Sequence, residues 1–134
     1  MGTVTTVGYE GLSFDALLDT LRSLGVTVLV DVRLTPLSRR PGMSRRALSA
    51  GLAEAGVAYR HYPALGNPRE NREPLRRGDP SALALYRDHL DEPDARVALA
   101  EIAALARTER VALLCVEADP ARCHRTLVAE RLGI

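Results

Sequence analysis

Val26-Thr27-Val28-Leu29-Val30-Asp31-Val32-Arg33 is the stretch that decides the fold. It is an apolar run, rich in valine, that only Thr27 and Asp31 interrupt before Arg33. A strand that is buried on both faces has this composition, whereas a strand with one face in water alternates between apolar and polar residues. The stretch therefore predicts a central strand of a parallel sheet, with helices covering both sides.

Helical patterns flank this strand on either side. Upstream, Ser13 is a suitable N-cap, and apolar residues recur behind it at helical spacing until Gly25, which ends the pattern. Downstream, Ser44 predicts the start of a second helix that closes at Gly56. Before the first helix, the β-branched run from Thr3 to Val7 predicts an additional strand.

The second half of the chain continues the alternation. The predicted elements are, in order, a strand at 57–62, a long mobile loop at 63–80, helices at 81–90 and 93–107, a strand at 111–116 and a helix at 120–132 that Asp119 caps. Such alternation indicates a parallel sheet with helices on both faces. We therefore expect one α/β domain over residues 1–134, with three layers and a mostly parallel sheet of four or five strands.

Composition and charge exclude several classes of protein. The formal net charge is +1, so no overall basic field attracts nucleic acid or membranes. No apolar run reaches the roughly 20 residues that a membrane span needs, and the N-terminus lacks the pattern of a signal peptide. Two cysteines do not make a secreted disulfide framework. We expect a cytoplasmic protein with reduced thiols, and neither a metal nor a cofactor.

Polar residues and glycines follow the predicted strands at the points where the apolar runs stop. In open parallel sheets, ligands bind beyond the carboxyl ends of the strands. Gly8 and Tyr9 follow the first strand, Tyr62 ends the third, and Glu117 follows the fourth. We expect Gly8, Tyr9 and Tyr62 to contact a substrate. The Glu117 carboxylate needs a partner at this position, either an arginine or the substrate itself.

The turn Cys123-His124-Arg125 falls in the first turn of the predicted last helix. Free backbone N–H groups and the positive end of the helix dipole favour an anion there, so His124 and Arg125 are candidate anion-binding residues. A thiol beside these basic groups favours the thiolate, which makes Cys123 a candidate nucleophile. The alternative is that Cys123 packs the helix against the sheet. His124 lies about one hundred degrees away around the helix, so the two are not a simple dyad.

Two further positions carry alternatives. Asp31 and Arg33 are two residues apart at a strand end, so they lie on one face and either form an ion pair or hold a polar ligand. Cys115 lies within an apolar strand, and buried cysteines of this kind are usually inert packing residues.

The same residues make up motifs that resemble the domain-of-unknown-function 488 family. The similarity spans nearly the whole chain, and its most specific part is the sequence C-x-E-x-x-P-x-x-C-H-R at 115–125. The resemblance implies a small bacterial or archaeal α/β domain and brings no established reaction with it. Tyr9 stands where family members often have histidine, so a role that needs an imidazole at that position is in doubt.

Three classes of function remain open, and we rank an enzyme first. It would act on an anionic small molecule, nucleotide-like or sulfur-containing, with Cys123 as nucleophile, Arg125 or Arg33 as the anion clamp, and Glu117 or Asp31 as the acid or base. The second is a non-catalytic module that binds the phosphates of a nucleotide or nucleic acid, using the basic cluster at 39–46. The third is a thiol switch in which Cys115 and Cys123 form a reversible disulfide.

Overall fold

Four parallel strands form the middle layer of the protein. The structure, a computed structural model, describes residues 3–34, 42–115 and 124–133. The strands are β1 (Thr3–Gly8), β2 (Val28–Asp31), β3 (Ala58–His61) and β4 (Arg110–Cys115). Their order in the sheet is β1-β4-β2-β3, and every neighbouring pair is parallel. β4, the last of these described strands in the sequence, is therefore an inner strand.

Helices cover both faces of this sheet. Those in the described part of the chain are α1 (Phe14–Ser23), α2 (Arg45–Glu54), α3 (Arg72–Arg76), α4 (Pro80–His89), α5 (Pro93–Leu105) and α6 (Arg125–Arg131). Side chains of α1 and α2 pack on one face, and side chains of α3 to α6 pack on the other. This arrangement confirms the predicted three-layer α/β fold and fixes the number of strands in the described sheet at four.

The inner strands are buried on both faces, as their composition predicts. All four residues of β2 are buried. Val28 and Val30 join the core beneath α3 to α6, whereas Leu29 joins the core beneath α1 and α2. Along β4, Leu113 and Leu114 divide between the two cores in the same way. The two apolar cores hold the helical layers against the sheet through the hydrophobic effect.

The prediction of a long loop between residues 63 and 80 is wrong. Two short 3-10 helices, Pro63–Leu65 and Arg69–Asn71, lead directly into α3. Leu65 is fully buried, and the buried Asn71 amide donates to Asn67 Oδ1 at 2.9 Å and to the carbonyl of Ala82 at 3.1 Å. The prolines that suggested a loop are compatible with the start of a helix, and buried leucines and amides hold the segment in place.

The last predicted helix is present, and the structure describes it from Arg125, whereas its predicted start at residue 120 lies outside the described residues. α6 begins at Arg125, and its first backbone bonds run from the N–H groups of Leu127 and Val128 to the carbonyl of His124. His124 therefore lies at the N-cap position rather than within the first turn. The expected cap Asp119 lies outside the described residues.

The first helix offers a direct test of its predicted cap. Ser13 Oγ accepts a hydrogen bond from the Ala16 N–H at 3.1 Å, so the cap is confirmed. Ser13→Ala removes this acceptor, and we expect the free energy of unfolding in urea to fall by about 1 kcal/mol. The control is Ser23→Ala at the other end of α1, where the hydroxyl donates to the Thr20 carbonyl and caps no N–H. Equal losses in the two variants would contradict the capping role.

Candidate functional site at the carboxyl edge of the sheet

The chain leaves neighbouring strands toward opposite faces of the sheet. β1 and β2 lead to α1 and α2 on one face, whereas β3 and β4 lead to helices on the other face. Because the strand order is β1-β4-β2-β3, each pair of neighbours diverges at its carboxyl end. Divergence of this kind creates the crevice in which open parallel sheets bind ligands. The position of β4 places its last residue, Cys115, between two such divergences.

Asp31 and Arg33 form an ion pair at the end of β2. Arg33 Nε donates to Asp31 Oδ1 at 2.8 Å, and Nη2 donates to Oδ2 at 2.6 Å. The backbone N–H of Arg33 adds a bond to Oδ1 at 3.1 Å, and the Tyr59 hydroxyl donates to Oδ2 at 2.5 Å. Each carboxylate oxygen thus accepts two hydrogen bonds, which is about its full capacity. The Asp31 side chain is fully buried.

The other side of the Arg33 guanidinium is equally engaged. Nη1 donates to the carbonyl of Met43 at 2.7 Å and to the Tyr9 hydroxyl at 3.4 Å, and the guanidinium lies 5.3 Å from the centre of the Tyr9 ring. Burial acts to lower the pKa of Arg33, but the hydrogen bonds and charge of Asp31 outweigh it and raise that pKa. The geometry favours the ion pair over a polar ligand at this position.

Tyr59 belongs to the same buried network. Burial, together with its hydrogen bond to Asp31, raises the pKa of the Tyr59 hydroxyl well above its ordinary value. The phenol therefore stays protonated and keeps donating to the carboxylate at physiological pH. No periodicity of the sequence marks Tyr59 as a partner of Asp31, since the contact depends on the register that places Leu29 beside it on β2.

Two histidines hold the segment that leaves β2. His124 Nε2 lies 2.7 Å from the carbonyl oxygen of Val32, and His61 Nε2 lies 2.8 Å from that of Arg33. A carbonyl oxygen only accepts, so the Nε2 atom carries the hydrogen in both rings. The sequence placed His124 as an anion-binding residue, but its ring points into the protein and is only 7% exposed.

The structure brings His124 to Cys115. The Sγ atom lies 3.5 Å from Nδ1 of the imidazole, and Cys115 is 3% exposed. Tyr86 of α4 meets the imidazole edge-on, with ring centres 5.4 Å apart. Burial of Cys115 was predicted, but its imidazole neighbour was not. The sequence signal for this contact is that Cys115 lies near the end of a predicted strand and His124 lies near the start of the helix predicted to follow it.

The remaining predicted site residues lie at the carboxyl edge of the sheet, and their side chains belong to two different faces of it. Gly8 pairs with Cys115 in the sheet, and Tyr62 packs against the core to which Cys115 belongs. Burial raises the pKa of Tyr62. The Tyr9 N–H donates to the Cys115 carbonyl at 3.1 Å, but its side chain joins the opposite core. Arg125, the first residue of α6, is 2% exposed.

Several predicted residues lie outside the part of the chain that the structure describes. These are Glu117, Cys123, Arg39 and Arg40. Of the predicted basic cluster at 39–46, Arg45 and Arg46 are described, and both are exposed at the start of α2. Their exposure fits a solvated face of the helix.

A groove beside α1 is a second concave feature. It encloses roughly 660 Å³ and is lined by residues that include Gly11, Phe14, Gly42 and Gly51. Asp15 is the charged side chain in its lining. An apolar ring and a carboxylate do not suit an anionic ligand, so this groove is a poor site for such a molecule. Over residues 3–34, 42–115 and 124–133, no cluster of three or more His, Cys, Asp or Glu residues is placed to hold a metal.

These features define a parallel α/β domain with a buried thiol, imidazole and guanidinium at the carboxyl end of an inner strand. The family model described as the domain of unknown function DUF488 matches residues 13–132, so the chain belongs to this family. No curated protein and no solved structure was found to match the chain. None of the helices in the described ranges has the length and apolar character that crossing a membrane requires.

Proposed function

We propose that this protein is an enzyme that binds an anionic small molecule at the carboxyl edge of the sheet and uses a reactive cysteine. One observation carries the proposal: Cys115, His124 and Arg125 are all buried where β4 ends and α6 begins. Thiol, imidazole and guanidinium groups supply a nucleophile, a base and an anion-binding fork. The cysteine predicted from sequence, Cys123, is close to them along the chain and remains a candidate for the reactive thiol.

Arg125 is the residue that we assign to the anion. Arg125 is buried at the first residue of α6, close to the end of β4, whereas the guanidinium of Arg33 is held in its ion pair with Asp31 at the end of β2. A guanidinium stays charged at every physiological pH and matches the geometry of phosphate or carboxylate oxygens. A nucleotide-like or sulfur-containing substrate with such a group fits this position. We also place the protein in the cytoplasm, where the reducing conditions keep its thiols reduced.

A thermal-shift screen tests the binding step. Nucleotides, phosphosugars, sulfur compounds and polyanions are compared on the wild-type protein, on Arg125→Lys and on Arg110→Lys. A ligand at one hundred times its dissociation constant adds about 2.7 kcal/mol to the folded state and raises the melting temperature. We expect Arg125→Lys to weaken the binding by at least about tenfold, because the ammonium lacks the planar fork.

Arg110→Lys is the matched control, because Arg110 begins β4 and therefore lies at the amino edge of the sheet, opposite to the edge where β4 ends and α6 begins. Its affinity for the ligand should equal that of the wild-type protein. Titrating each variant with the ligand compares the protein with itself, so a lower intrinsic stability does not mask the result. Equal binding by both variants would remove the role of Arg125. A response to polyanions alone, falling steeply with salt, would replace the enzyme by the phosphate-binding module.

A further inference from the structure

We infer that Cys115 and His124 are the nucleophile and the base of this site. The inference rests on the proposed function, and it assigns the reactive thiol to Cys115 rather than to Cys123. It stands on three features of the described residues. They are the contact between the two side chains, the hydrogen bond that fixes the imidazole, and the place of Cys115 in the sheet.

The imidazole of His124 presents its unprotonated nitrogen to the thiol of Cys115, as a base must. His124 Nε2 is 2.7 Å from the Val32 carbonyl and therefore carries a hydrogen. In the neutral ring the other nitrogen, Nδ1, is then unprotonated and has a lone pair. This nitrogen is the one nearer to Cys115 Sγ, at 3.5 Å against 3.9 Å for Nε2. The thiol hydrogen of Cys115 can thus pass to Nδ1.

The Val32 carbonyl acts as the orienting group of the pair. It belongs to the segment that leaves β2, and the N–H of Val32 is itself tied to the Leu114 carbonyl of β4 at 3.2 Å. When Nδ1 takes the proton, the ring becomes an imidazolium whose Nε2–H still points at an acceptor. A thiol is activated in cysteine enzymes by this arrangement, in which the nucleophile contacts a base and the base is held in turn by a hydrogen-bond acceptor.

Among the described residues, an aromatic ring and a carboxylate lie near the pair. Tyr86 of α4 contacts the imidazole edge-on, and its hydroxyl donates to the Leu65 carbonyl at 2.5 Å. Asp31 is the carboxylate residue of β2. Its register partner on β4 is Leu114, which belongs to the core beneath α1 and α2, so the Asp31 side chain lies on the face of the sheet opposite to the Cys115 side chain.

The step itself conserves atoms and electrons. The proton of the thiol moves to Nδ1, and the sulfur keeps the electron pair as a thiolate. The thiolate attacks an electrophilic centre, and the leaving group departs with the electrons of the bond that breaks. With iodoacetamide as the electrophile, a carbon–sulfur bond forms, the carbon–iodine bond breaks and iodide leaves.

The experiment uses full-length protein carrying Cys123→Ser, in which Cys115 is the remaining thiol. The ultraviolet absorption of the thiolate is followed across pH, and the rate of alkylation by iodoacetamide is measured at about pH 6.5. A free cysteine with a pKa of about 8.5 is roughly 1% thiolate at that pH, whereas an imidazole-paired thiol is largely ionised. We expect a thiolate band and modification of Cys115 at this pH.

His124→Gln isolates the base. The glutamine amide can still donate to the Val32 carbonyl, but it has no nitrogen lone pair to face the sulfur. We expect this change to lower the thiolate fraction at about pH 6.5 by at least about tenfold. His61→Gln is the matched control, because it makes the same substitution at the histidine that holds the next carbonyl, that of Arg33.

Two outcomes would overturn the inference. One is a thiolate band that appears only near pH 8.5 or above in the Cys123→Ser protein. The other is a band that His124→Gln and His61→Gln leave equally unchanged. The absorption does not require a reagent to reach the buried sulfur, so slow alkylation cannot be mistaken for an inactive thiol. Because no ligand takes part, the result is independent of the screen that tests anion binding.

Discussion

Replacing Asp31 by asparagine is expected to lower the free energy of unfolding by about 3–5 kcal/mol, the range found when one partner of a buried ion pair is removed. Asparagine has nearly the same shape, so no cavity forms. Its amide nitrogen must take the place of one oxygen, and each oxygen faces at least two donors. The new amide N–H groups then face N–H or O–H donors that have lost their acceptor, and the Arg33 charge is left buried without compensation. Urea denaturation monitored by circular dichroism measures the loss.

Asp91→Asn is the matched control for this prediction. Asp91 and Arg131 are also 2.6 Å apart, but their side chains are 63% and 33% exposed, against 0% and 4% for Asp31 and Arg33. Water compensates exposed charges, so the control should cost less than about 1 kcal/mol. Similar losses in the two variants would show that the Asp31 network is less important to stability than its burial indicates.

Gly66→Ala is expected to cost about 3 kcal/mol, near the upper end for an added methyl group in a packed interior. A Cβ atom on Gly66 would lie 2.4 Å from Leu34 Cα and 2.7 Å from Leu34 N, so it would meet backbone that no rotamer change can move. The backbone angles of Gly66, φ −68° and ψ 140°, suit alanine. Any loss of stability therefore comes from the steric clash and not from the angles.

Gly51→Ala supplies the comparison. Its added Cβ would also be close to a neighbour, at 2.6 Å from Phe14 Cζ, but that atom is the far end of a half-buried side chain. The ring can shift, and alanine within a helix gains about 1 kcal/mol over glycine. We expect a net change within about 1 kcal/mol. A Gly66→Ala variant as stable as Gly51→Ala would contradict a close approach of the segments after β2 and β3.

Much of the fold is predictable from local patterns. The apolar run at β2, the caps at Ser13 and Ser44, and the alternation of elements gave the α/β class and the positions of all four described strands. The segment at 63–80 was harder, because prolines mark loops and helix starts alike. Its order comes from tertiary burial, such as that of Leu65, and no local pattern reports burial against a distant helix.

The site was predictable in position but not in its pairings. Strand ends identified Asp31, Arg33 and the region of His124 without any knowledge of strand order. The partners depend on register and on strand order, which pattern does not fix. The contact between Cys115 and His124 joins a strand to a helix N-cap, and Tyr59 reaches Asp31 from a different strand. The sequence alone therefore predicts a packing role for Cys115, because its contact with His124 is visible only in the structure.

The place of β4 between β1 and β2 also has a consequence for how the chain folds as it is made. Thr3 of β1 pairs in register with Arg110 of β4, so the ends of that contact are separated by most of the chain. Contacts between distant residues form late and slow folding. β1 and β2 are not neighbours in the sheet. While the ribosome is producing the first hundred or so residues, the strand that lies between them, β4, has not yet been made. We expect the nascent chain to keep its first strand unpaired until β4 emerges, when the two halves close into one sheet in a single step.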